Sequence, residues 1–207
     1  MPRWPAGDVA RSRAISYLAG VQDVPSFVAE YAERARAFVA RATGLPPTLD
    51  EVGLAAIDHY LVGVRQSLVG VSDDKREALV ALVVPTLGAL FGEIVRAQLG
   101  GEWMGTGPDP EALALAVGPL HFSPTAMAAE AIAEGPAAGH DATVHSPLGL
   151  RAALERALEG AAPVSTEYYY SLTGRYETLV LLLDVAAAMA AKDAPPEPEE
   201  PSEGSGN

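Results

Sequence analysis

The chain contains no cysteine. That absence excludes disulfides, thiolate metal ligands and a cysteine nucleophile, and it fits the cytoplasm. Basic residues are also scarce: 14 Lys and Arg stand against 27 Asp and Glu, a formal charge of −13 over 207 residues. From Arg96 to Arg151 no basic residue intervenes, whereas Glu102, Asp109, Glu111, Glu130, Glu134 and Asp141 do. A phosphate backbone would be repelled by such a surface, so no nucleic-acid ligand is expected. A basic protein partner fits better, although solubility alone also accounts for the acidity. Only residues 1–41 run slightly basic, with six Arg against four acids.

Familiar catalytic signatures are missing too. There is no GxSxG elbow, no GxxxxGK[ST] loop, no GxGxxG after a strand and no EF-hand loop. The glycines of GTGPDP (105–110) resemble a phosphate loop, but its prolines lack donors and no Lys follows, so it reads as a turn. No internal repeat occurs. Pro5 and Asp8 interrupt any signal-peptide pattern. Two apolar runs, one holding Pro85, Glu93 and Arg96 and the other Asp184, fall short of the roughly 20 uninterrupted residues of a membrane span. Both read as buried helices.

What is present is core material: 49% of residues are hydrophobic. Helical spacing begins at Pro25 with Phe27, Val28, Tyr31, Ala35, Phe38 and Val39, and Gly44 ends that helix. A second helix starts at Thr48 or Asp50 and runs to about Leu68. Ser72 precedes the longest helix, which Pro85 should kink rather than end, up to Gly100. Gly88 and Gly92, four apart, predict a close helix crossing. Glycines and prolines break the next segment, where 102–104, 112–117 and 120–122 suit short strands. Ser123-Pro124 opens another helix, Pro147 a further one, and Ser165–Glu167 the last, which runs to about Ala191.

The expected fold is mainly α (α+β), about six helices with a small antiparallel β element near residues 101–122. Residues 1–24 read as a loose arm, 25–192 as a single helical domain and 193–207 as a disordered acidic tail. That tail has five acids, four prolines and no basic residue.

Few residues could carry chemistry. Glu93 ends a strongly apolar stretch; it either pairs with Arg96, three residues on, or acts as an acid of raised pKa. His121, in LHFSP, could serve it as an acid–base partner or simply hold a turn. HDATVH sets His140, Asp141 and His145 in one loop, without the helical spacing of an HExxH zinc site. They are weak metal candidates, and neither a metal nor a cofactor is expected. Tyr168, Tyr169 and Tyr170, with Tyr176 beyond, cannot all face one core. Trp103, Tyr168, Tyr169 and Tyr170 are the candidate binding residues.

The segment Leu87-Gly88-Ala89-Leu90-Phe91-Gly92-Glu93-Ile94-Val95, followed by Leu99-Gly100-Gly101-Glu102-Trp103, resembles a motif of uncharacterised bacterial domain-of-unknown-function proteins. Their helix reads roughly LGAYxGEVxxxxLGGxW. Here Phe91 stands one place after the usual aromatic position. The resemblance spans about residues 50–135 and implies a shared small α+β unit; it imports no activity.

Together these features favour a non-enzymatic bacterial protein-binding module: an adaptor, regulator or immunity-type partner in the cytoplasm. One rival is a small enzyme using Glu93 with His121 or a tyrosine. Another is a helical structural subunit of a larger assembly, and association with copies of the chain itself is a further partner reading.

Overall fold

The computed structural model describes residues 24–105 and 112–193. The expected arm, apart from Val24, and the expected tail, apart from Asp193, lie outside them. Seven helices and one three-stranded sheet make up the described residues, in keeping with the helical α+β class expected.

Helix α1 (Ser26–Thr43) buries Val28, Ala32, Ala35 and Val39, a stripe spaced four, three and four residues apart. It ends at Gly44, whose left-handed φ of 86° turns its N–H back to the Ala40 carbonyl. Helix α2 (Glu51–Leu68) begins at Asp50, whose carboxylate accepts from the Gly53 N–H at 3.0 Å. The Thr48 hydroxyl donates to the same carboxylate, and these bonds hold its pKa below the ordinary value.

Helix α3 (Asp73–Leu99) is the axis of the molecule. Every residue from Val83 to Val95 is buried, so no single face is polar. Helices α1 and α4 (Pro124–Ala133) pack along it most extensively, with α2, α7 (Leu172–Asp193) and the sheet completing the enclosure. By length and composition α3 could cross a membrane; 67% of its most apolar window is buried within the fold. Pro85 costs the helix one backbone donor without ending it. Beside it the Thr86 hydroxyl donates to the Leu82 and Val83 carbonyls at 3.1 and 2.9 Å.

The glycines of α3 mark where other elements press closest. A Cβ added to Gly88 would lie 2.5 Å from the Thr125 Cα at the start of α4, and one at Gly92 would strike the Trp103 ring. The expected crossing is therefore present, with α4 as the crossing helix.

Strands β1 (Glu102–Met104), β2 (Ala114–Val117) and β3 (Leu120–Phe122) form an antiparallel meander in the order β1-β2-β3. Trp103 pairs with Leu115, and Leu115 with Phe122, along one row; Glu102, Ala116 and His121 form the next. Alternation turns Leu115, Val117, Leu120 and Phe122 into the core and leaves His121 exposed.

The C-terminal part departs from one long helix. Helix α5 (Leu148–Gly160) lies on α7, and a short α6 (Thr166–Tyr170) precedes α7, with Ser171 extended between them (φ −67°, ψ 154°). Asp58 of α2 explains the break. Its carboxylate accepts from the Leu172 N–H at 2.9 Å, the Thr173 N–H at 3.0 Å and the Thr173 hydroxyl at 2.6 Å, capping α7 from another helix.

Candidate functional site

Glu93 lies at the contact between α3 and β1. Both its carboxylate oxygens receive the Arg96 guanidinium, Nε to Oε1 and Nη2 to Oε2, each at 2.9 Å. The Trp103 indole N–H donates to Oε1 at 2.8 Å. The bidentate carboxylate pushes the Arg96 pKa up. Three donors thus engage one carboxylate whose side chain is only 12% exposed. Gly92 leaves room for the Trp103 ring, and Gly101 (φ 147°) brings the chain against the Ala116 carbonyl. The LGAxxGE–LGGxW segment is thereby a clasp that closes the end of α3 onto the sheet.

His121 takes no part in that clasp. Trp103 lies in the row that faces the core, and His121 in the adjoining row, one residue out of phase and therefore on the opposite face. Glu93 meets Arg96 and Trp103, and among the described residues neither a histidine nor a tyrosine hydrogen-bonds to it. His121 instead forms a two-way backbone bridge with His145, and their rings stack with centroids 5.0 Å apart. His140 and Asp141 line the same open groove, about 510 Å³ in volume, which also reaches Phe122 and Ser123.

The tyrosines lie on a different part of the surface. Residues 158–169 are exposed without a break, and α6 buries none of its residues. Tyr169 and Tyr170 meet edge to face at 5.0 Å, and the Arg175 guanidinium sits 4.6 and 5.1 Å from their centroids. Arg175 is itself buried and salt-bridged to Glu130 of α4. Its Nε has no hydrogen-bond partner among the described residues, and the tyrosine rings pack against this guanidinium. Tyr168 points elsewhere. Burial raises its pKa to about 12, helped by a hydrogen bond to Glu177 and by the charges of Glu177 and Asp58.

Asp58, Glu130 and Arg175 escaped the sequence reading. A carboxylate on the polar side of α2 looks like surface, and an Arg five residues after a tyrosine run carries no short-range signal. Arg96 was legible because its partner lies one turn away.

No family model, curated protein or solved structure matches this chain.

Proposed function

We propose that the chain is a protein-binding module that presents residues 158–169 to a partner with a basic rim. The continuous exposure of this segment carries the reading. It offers Leu158, Val164, Tyr168 and Tyr169, which are 45%, 55%, 37% and 45% exposed. Apolar and aromatic side chains gathered on one surface stretch suit an interface core. Leu154 in α5 and Leu172 in α7 are buried at either end, so the segment is held on a firm base. Arg175 holds Tyr169 in place, which lowers the entropy lost on binding. Glu159, Glu167 and Glu177 are exposed around the segment and favour a partner bearing Lys or Arg.

An enzymatic role draws no comparable support, since the Glu93 carboxylate already serves three donors. The absence of cysteine and the acidic composition suit a cytoplasmic, adaptor-like or regulatory role. The motif segment is read as the structural signature of a bacterial α+β unit.

The test is affinity capture from the native host with the wild-type chain and with a Leu158→Asp/Val164→Asp variant. A protein retained by the first, lost at least about tenfold by the second and released by salt supports the reading. Equal recovery by both proteins, at equal melting temperatures, would refute it.

A further inference from the structure

The histidine groove plays no part in that interface. The His121 N–H donates to the His145 carbonyl at 3.0 Å, and the His145 N–H donates to the His121 carbonyl at 2.8 Å. A pair bonded in both directions has its Cα atoms about 5.5 Å apart and both side chains on one face. The rings accordingly stack at 5.0 Å, only 19° from parallel. Asp141 adds a carboxylate behind one of them: its Oδ2 lies 3.9 Å from His145 Nε2. Its Oδ1 accepts from the Thr143 N–H at 2.9 Å, which fixes the carboxylate. That separation is too long for a hydrogen bond, but a small turn of the exposed ring would close it, and a carboxylate on one imidazole nitrogen is the usual support of a metal-ligating histidine, leaving the other nitrogen as the ligand.

We propose that His121 and His145 form a two-imidazole chelate for a divalent transition ion such as Zn²⁺, with Asp141 placed to hold His145 once its ring turns to the ion. Imidazole nitrogen is the preferred donor for zinc, copper and nickel, whereas calcium and magnesium take oxygen. Among the described residues no group of three metal-ligating side chains stands together, so water fills the remaining positions of the ion. Both rings are exposed and border the open groove, which gives an ion access and lets the rings turn from stacked to converging. His59, on the surface of α2, lies outside the groove and serves as the internal control.

Titration of the full chain with ZnCl₂ at neutral pH, followed by calorimetry and by the imidazole NMR signals, tests this. One zinc per chain is expected, with the His121 and His145 signals shifting and that of His59 still. His121→Ala and His145→Ala should each abolish binding, and Asp141→Asn should weaken it roughly 10- to 100-fold. Three results would overturn the proposal: no signal change at millimolar zinc, shifts confined to other histidines, or unchanged affinity in the single histidine variants. The wild-type NMR titration needs no substitution, so a poorly folded variant cannot decide the matter.

Discussion

Glu93 shows how one residue is committed by its neighbours. A carboxylate offers two oxygens with acceptor sites only, and here two guanidinium N–H groups and one indole N–H fill them. Glu93→Gln would turn an NH₂ group toward Arg96 or Trp103 and remove the charge. Hydrogen bonds to charged groups contribute about 1.5–3 kcal/mol each, so the variant should lose about 2 kcal/mol in denaturant unfolding. A variant more stable than wild type would instead mark a carboxylate strained for chemistry. Tyr168 makes a prediction in pH. Its phenol holds its proton to about pH 12 in the folded chain, against about 10 when unfolded. Between these values the unfolded state releases a proton that the folded state keeps, so stability falls as pH rises through the window. Tyr60 and Tyr176, also raised by burial, act in the same direction. Tyr168→Phe should therefore flatten, without abolishing, the decline in melting temperature above pH 10.

At the scale of elements, the sequence is most legible where structure is local. The stripe of α1, the start of α2 at Asp50, the passage of α3 through Pro85 and the Pro-led α4 all follow from neighbours within a turn or two. The three strands lie where short apolar runs sit between glycines and prolines, although β2 begins at Ala114 rather than 112. Gly88 and Gly92 announced a close approach but could not name Thr125 and Trp103, because spacing on one helix holds no record of its neighbour. The break at Ser171 was illegible for the same reason: its cause, Asp58, is 114 residues from Leu172. The candidate site was half legible. The run Tyr168–Tyr170 was legible as too aromatic to be buried whole, whereas which rings are exposed and the Arg175 contact beneath Tyr169 were not. Asp58→Ala would strip three hydrogen bonds from the start of α7 and leave two backbone donors there unpaired. A loss of about 2 kcal/mol is expected, with Asp58→Asn closer to wild type because its amide oxygen still accepts. Equal unfolding midpoints for Asp58→Ala and wild type would show that water caps α7 as well as the carboxylate does.

On the scale of the whole molecule, α7 joins the two halves of the chain. Asp58 fixes its start to α2, Arg175 ties it to Glu130 of α4, and α5 and α6 lie against it. The Arg175–Glu130 pair is the more consequential tie, because both side chains are nearly removed from water, at 9% and 13% exposure. Two charges buried together repay much of their desolvation through mutual attraction, and one left alone does not. Arg175→Met should thus cost about 3–5 kcal/mol by stranding the Glu130 carboxylate, and it would also take the cation from beneath Tyr169 and Tyr170. Adding Glu130→Leu removes the stranded charge, and the double variant should recover most of the loss. Denaturant unfolding of the two single variants and the double variant gives the coupling directly. Additive losses would mean that water reaches the pair and that its charges act independently. Non-additive recovery would show that α7 is held by a desolvated pair on the same residue that positions the Tyr169 ring. Partner capture by the recovered double variant would then separate two roles of Arg175, support of the fold and support of the exposed segment 158–169.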